Sequence, residues 1–319
     1  MRLLAAGGTI AMSGERAVPT LDAAQLVREI GELEAVPRLR AESLLGLPGP
    51  QIALGQALEL ARAACAAADG GEGVVITTGT DTLEELAVLC ALLHGAAAPI
   101  VLTGANRPAS RPGADGPANL LDAVAVAGSE RADGLGTVVV FGGEVHAAMS
   151  VRKVDSTGPA AFGSPVTGPL GRVVEGRIWL AARPLRDAPP LRPSSLEHRV
   201  AIVTAALGDD GEHLRAAGQT HDGLVVVALG AGHLPPGMAQ ALPEIAADRP
   251  VLLTCRPERS SMLFHTYGFD GAEPDLRASG AVCVPFLSAV AARMALLCCL
   301  GAGLDREAIT TVLSGWDAG

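Results

Sequence analysis

Residues 73–93 read GVVITTGTDTLEELAVLCALL. Gly73–Thr77 is a short β-branched run without polar alternation, and the apolar spacing after it predicts a helix over Thr82–Leu93. A wholly apolar strand, a turn and a helix form the repeating unit of a parallel sheet covered on both faces. Working outward, the same alternation predicts strands at Arg2–Ala6, Ile100–Thr103 and Thr137–Phe141, with helices at Leu54–Ala68 and Pro117–Ala127. Gly171–Ala181 reads as an antiparallel pair turning at Glu175-Gly176.

Residues 183–199, RPLRDAPPLRPSSLEHR, break this pattern; they are rich in Pro and Arg and lack periodicity, as a linker does. Beyond them, strands are predicted at Val200–Thr204, Leu224–Ala228, Val251–Thr254 and Val282–Val284. Helices follow at Met238–Ala246, Ser288–Leu300 and Asp305–Leu313. The architecture is two open α/β layers joined by a linker, and 319 residues suit two domains.

Composition narrows the function classes. With 18% charged and 49% hydrophobic residues the chain is not a disordered one. A net charge of −10 and 3% aromatic residues argue against nucleic acid as a partner, by charge and by stacking. The six cysteines form no CxxC pair and most sit in apolar runs, as small buried hydrophobes of a reduced protein do. The start, Met1 to Ala6 running into Gly7-Gly8-Thr9, reads as a strand and a turn rather than a leader, so a cytoplasmic location is expected. Residues 281–300, AVCVPFLSAVAARMALLCCL, are interrupted by Pro285, Ser288 and Arg293, and read as strand, turn and buried helix rather than a membrane span. His94, His146, His233 and His265 are scattered singly; neither a metal nor a cofactor is implied.

Open parallel sheets bind ligands at the carboxyl ends of their strands. Three segments there carry chemistry. In AAGGTIA, residues 5–11, a Gly-Gly turn lets the backbone approach a ligand and presents the Thr9 hydroxyl, while nearby backbone N–H groups are candidates to receive an oxyanion. In VVITTGTDTLEE, residues 74–85, Thr78, Thr80, Asp81 and Thr82 crowd one strand mouth. A Thr or Asp helix cap with Glu84 and Glu85 in the first turn accounts for part of this set. Lys153 is the only lysine in the chain. In so Arg-rich a composition a single lysine is either chance or a place where Arg cannot substitute, because an amine can lose its proton and a guanidinium effectively does not. A hydroxyl nucleophile, a second threonine, a carboxylate and an amine suggest acyl transfer on an amide.

These segments resemble the bacterial-type L-asparaginase and glutaminase-asparaginase family. AAGGTIA is similar to the family's TGGTIA, and TTGTDTLEE to HGTDTMEE. PIVLTGANRPAS (99–110) is similar to PVVxxGAMRP, and ADGPANLLDAV (114–124) to ADGPxNLxxAV. SVRKVDST (150–157) falls where the family has its lysine, with GPLG (168–171) following. The resemblance implies an α/β fold: a doubly wound parallel sheet in an N-terminal catalytic domain over 1–185, a linker over 186–198, and a second, smaller α/β C-terminal domain over 199–319 that completes the neighbouring subunit's site. It implies a homotetramer built from intimate dimers, a small amino-acid amide as substrate, and no membrane partner. Thr9 would be the nucleophile. Thr80, Asp81 and Lys153 would form the second catalytic group, with Thr80 and Asp81 also binding substrate.

The chain departs from the family pattern in places. Ala6 and Thr78 replace a Thr and a His. The lid MSGERAVPTLD, residues 12–22, contains no Tyr, and Thr20 is its candidate hydroxyl. The Ser-Gln pair that grips the substrate carboxylate falls near Gly49-Pro50, leaving the Gly49 N–H, with Ser43 or Gln51 as compensating groups. GAGH, residues 230–233, stands where an Asn-bearing GNGN is expected. The primary expectation is hydrolysis of L-asparagine to aspartate and ammonia. The alternatives are an amidase for glutamine or another small amide, and a weakened homologue that binds amino acids without turnover.

Overall fold

The computed structural model describes residues 1–14, 18–184, 189–259 and 261–317. The chain divides into two compact units, Met1–Pro184 and Leu185–Gly319.

The first unit begins with β1 (Arg2–Gly7), a short hairpin of β2 (Met12–Ser13) and β3 (Val18–Pro19), α1 (Ala23–Glu29) and β4 (Arg40–Leu47). It continues through α2 (Leu54–Asp69), β5 (Val74–Thr77), α3 (Leu83–Leu93), β6 (Ile100–Thr103), α4 (Gly116–Ala127) and β7 (Thr137–Phe141). Then come β8 (Glu144–Ala147), β9 (Arg152–Lys153), β10 (Phe162–Gly163), β11 (Gly171–Val174) and β12 (Arg177–Leu180). Eight of these strands form one sheet in the order β12-β11-β8-β7-β6-β5-β1-β4. From β4 to β7 all neighbours are parallel. From β7 to β12 they are antiparallel.

Every residue of β5, β6 and β7 is buried, as expected of strands covered on both faces. Leu3, Val75, Val101 and Val138 share one core cluster with Leu120, Ala123 and Ala127 of α4. The helices α2 and α3 pack against this sheet as well. The β11–β12 turn has φ of 52° at Glu175 and 70° at Gly176, the doubly left-handed turn that matches strand twist.

Some elements carried no clear sequence signal. The edge strand β4, RAESLLGL, is largely exposed, so it lacks the apolar run that marks its neighbours. The short α1 is set by a capping box in which Asp22 and Gln25 satisfy each other's backbone N–H.

The second unit contains β13 (Val200–Thr204), α5 (Glu212–Thr220), β14 (Gly223–Ala228), α6 (Pro236–Asp248), β15 (Val251–Cys255), α7 (Glu273–Ala278), β16 (Val282–Cys283), α8 (Ala289–Gly301) and α9 (Arg306–Asp317). Its four strands are parallel, in the order β13-β14-β15-β16. Leu224, Val226 and Leu253 cluster with Leu214 of α5 and Leu242 of α6, while α8 packs against β13, β14 and β15. Residues 281–300 form a strand and a helix capped by Ser288, whose hydroxyl accepts from the Ala291 N–H at 3.1 Å. Among the described residues, no helix is long and apolar enough to cross a membrane.

Of the stretch 186–198, residues 186–188 lie outside the described residues. Leu191 and Leu196 are buried, and the Gly301 carbonyl accepts from both the N–H and the hydroxyl of Ser194. The cysteines are free thiols, five of them buried. Burial pushes the Cys255 thiol up to about 11 and the Cys299 thiol up to about 12, so both stay protonated and inert.

Candidate active site

β1 lies between β4 and β5, and the chain leaves all three strands at their carboxyl ends. There the backbones touch. Gly8 has φ of 78°, and a Cβ on it would lie 2.2 Å from the Gly79 nitrogen. A Cβ on Gly79 would lie 2.8 Å from the Gly49 nitrogen. Three loop segments are therefore stacked at a spacing that side chains would prevent. The turn brings Thr9, Thr80 and Gly49 to neighbouring positions at one sheet end.

Thr9 opens a 3₁₀ turn, Thr9–Ala11, whose Ile10 and Ala11 are buried and anchor it, while Thr9 itself is half-buried. The Gly8 N–H is committed to the Leu47 carbonyl at 3.1 Å and the Ala11 N–H to the Gly8 carbonyl at 3.0 Å. These two donors are thus withdrawn from the oxyanion role that the turn suggested.

Thr80 is buried and Asp81 exposed. Thr82 occupies the N-cap of α3 but makes no side-chain capping bond. Capping therefore does not account for the polar cluster before this helix. Instead Lys153 reaches it: its Nζ donates to Thr80 Oγ1 at 2.9 Å and to Asp81 Oδ1 at 2.8 Å. The ion pair is one-sided in exposure, with 17% of the Lys153 side chain and 63% of the Asp81 side chain accessible. The Lys153 N–H donates to Oε2 of Glu84 at 3.2 Å. Sequence reading placed Glu84 only as a first-turn acid.

The structure adds a polar network that sequence reading missed. The Asp115 carboxylate accepts from the N–H groups of Asn106 and Arg107 and from Asn119 Nδ2. Asn119 is buried; its Nδ2 also donates to the Gly104 carbonyl at 3.0 Å, and its Oδ1 accepts from the Gly142 N–H at 3.0 Å. Asn106 Nδ2 donates to the Gly158 carbonyl at 2.9 Å. This ties the segments after β6 and β7 to the β9–β10 hairpin that carries Lys153. The signal was the ADGPAN motif, whose acid and amide lie four residues apart at the start of a helix.

Other candidates are placed differently. Gly49 is buried beside Thr82, whose Oγ1 a Cβ would approach to 2.9 Å, whereas Pro50 is exposed. Ser43 accepts from the Ala23 N–H at 2.8 Å, so its hydroxyl serves the start of α1 rather than a substrate. Thr20 is exposed, with its N–H on the Ala11 carbonyl at 2.9 Å, and lid residues 15–17 lie outside the described residues. The Thr78 hydroxyl is buried without a hydrogen-bond partner among the described residues.

No group of three His, Cys, Asp or Glu is gathered as a metal site among the described residues. His94 Nδ1 lies 3.3 Å from Thr137 Oγ1 and His146 Nδ1 lies 3.1 Å from Ser164 Oγ, both pairs buried. Burial lowers the His146 pKa, with the Glu144 charge opposing.

Residues 1–186 match the family model "Asparaginase, N-terminal", and residues 199–313 match "Glutaminase/Asparaginase C-terminal domain". The chain is 41% identical to a probable L-asparaginase of Deinococcus radiodurans over 273 residues, covering 84% of this chain and 83% of that one. It is 30% identical to a probable periplasmic L-asparaginase of Haemophilus influenzae, covering 96% and 90%. Its fold superposes with a TM-score of 0.86 on the crystal structure of a probable cytoplasmic L-asparaginase from Campylobacter jejuni, at 26% identity over 98% of both chains. With both units matched in order and the glycine-stacked strand ends in place, this chain belongs to the asparaginase family.

Proposed function

We propose that this protein is an L-asparagine amidohydrolase that forms aspartate and ammonia with Thr9 as the nucleophile. The observation that carries the reading is the pair of bonds from Lys153 Nζ to Thr80 and Asp81, set beside Thr9 by the Gly8–Gly79 contact.

In this reading Thr9 Oγ attacks the side-chain carbonyl carbon, the C–N bond breaks and the nitrogen leaves as ammonia. An ester to Thr9 remains. Water attacks that ester and releases aspartate and the Thr9 hydroxyl. Thr80 and Lys153 move the protons, since an amine held against a hydroxyl can relay one. Asp81 keeps an exposed carboxylate face for the substrate's α-ammonium. The buried Gly49 supplies a backbone contact to the substrate carboxylate, with the exposed Pro50 at the rim.

A homotetramer of intimate dimers, in which the 199–319 domain completes a neighbour's site, belongs to the same proposal. So does a cytoplasmic location, as in the name of the Campylobacter protein, although the Haemophilus relative is named periplasmic. The C-terminal family description names glutaminase as well, which favours glutamine as the second substrate to test.

The test is ammonia release from the D- and L-forms of asparagine and glutamine. Preferential release from L-asparagine supports the proposal. Release from glutamine alone shifts it to the second substrate, and tight amino-acid binding without release removes it. Light scattering paired with activity on dilution tests the assembly, and a fully active monomer would sink the shared site.

A further inference from the structure

Lys153 is bonded at both ends. Asp81 and Thr80 take its Nζ, and Glu84 takes its backbone N–H. Its own strand gives it little support. β9 has two residues, pairs among the described residues with the two-residue β10 alone, and lies outside the eight-stranded sheet. So short a ladder does little to set where it sits relative to α3; the hairpin is held by the Phe162 ring packed on Phe141 of β7 at 5.0 Å and by polar cross-ties. One is the Asn106 bond to Gly158 in the turn of the hairpin. Directly at the lysine are its Nζ bonds to Thr80 and Asp81 and the bond of its backbone N–H to Glu84.

Glu84 is also an expensive way to complement a helix N-terminus. Burial pushes its carboxyl pKa up, as does the Glu85 charge. The Lys153 N–H and the charges of Arg152 and Lys153 pull it back down. An exposed acid would serve the helix dipole without that desolvation.

We infer that Glu84 is a positioning residue: its carboxylate fixes the Lys153 backbone over the start of α3, so that Nζ reaches Thr80 and Asp81 together. Lys153 acts on the reaction in the proposed function, and this inference rests on that reading. A displacement of about 1 Å at such a group lowers turnover by up to about a hundredfold.

The lone lysine provides a readout that does not depend on activity. Enzyme labelled with ¹³Cε-lysine gives one lysine signal, that of Lys153. Glu84→Ala removes the acceptor, whereas Glu84→Gln keeps one. The alanine variant should move the signal toward that of free lysine and lower kcat tenfold to a hundredfold, with KM within threefold. The glutamine variant should keep the signal and hold kcat within threefold. Glu84→Met preserves length without an acceptor and is read in the same way should the alanine variant fail to fold. An unmoved signal or unchanged kcat without the acceptor overturns the inference, as does equal loss of turnover in the Gln and Ala variants. If the wild type releases no ammonia, the amidohydrolase reading fails, while the lysine signal still decides whether Glu84 positions Lys153.

Discussion

Gly8 and Gly79 meet backbone to backbone, so close that a Cβ on Gly8 would lie 2.2 Å from the Gly79 nitrogen. This contact joins the loop of Thr9 to the loop of Thr80. Gly8→Ala must open it and must also hold a side chain at φ of 78° and ψ of −177°, a region that is essentially glycine's own and costs another residue roughly 1–3 kcal/mol. The variant should lose at least that much stability in urea titration, together with most of its turnover. An alanine variant within 0.5 kcal/mol of wild type, taken as about the noise of a neutral surface change, would show that the contact yields easily.

Thr9→Ala should abolish ammonia release while leaving the melting temperature within a few degrees. The residue is half-buried and its neighbours Ile10 and Ala11 do the anchoring. Thr9→Ser should retain partial activity because a primary hydroxyl still attacks. Wild-type turnover in the alanine variant would remove Thr9 from the reaction.

Asp81→Asn should raise KM for asparagine about tenfold or more, since a bond between opposite charges contributes roughly 1.5–3 kcal/mol net. The effect should shrink for an amide substrate that lacks the α-ammonium. Equal effects on both substrates would assign Asp81 to holding Lys153 alone.

Lys153→Arg tests the amine. Arg stays charged and is bulkier, so it should not satisfy Thr80 and relay protons in the same space. Turnover should fall by about 10²–10⁴, the usual worth of proton transfer, with little change in melting temperature. A fully active variant would leave Thr80 and Asp81 as substrate-holding groups only.

His146 should make the fold acid-sensitive. It is fully buried, and burial lowers its pKa below the ordinary 6.5. As pH falls through about 6.5 the unfolded imidazole takes up a proton that the folded one resists, so stability falls as pH drops toward the folded value. His146→Gln should flatten urea midpoints between about pH 7 and 5 relative to wild type. An identical slope in both would mean that this imidazole is not the source.

The core strands were legible in the sequence because burial on both faces demands unbroken apolar runs. Ile100–Thr103 and Thr137–Phe141 have the bounds read from sequence. The edge strand Arg40–Leu47 was not legible, because an exposed edge is written in the same residues as a loop. Chain order also made Thr9, Thr80, Asp81 and Lys153 visible as residues of the right chemistry at strand ends, though not as neighbours. Their meeting is a tertiary event: Lys153 is 72 residues from Asp81 in sequence, and the bond between them exists only because the fold brings the β9–β10 hairpin to the start of α3. Glu84 shows the limit most clearly. Its first-turn position has a complete local explanation in the helix dipole, so nothing in the sequence calls for another. Only the packed structure turns its carboxylate onto the backbone of the one lysine, because a hydrogen-bond acceptor moved out of water must find its donor inside the protein.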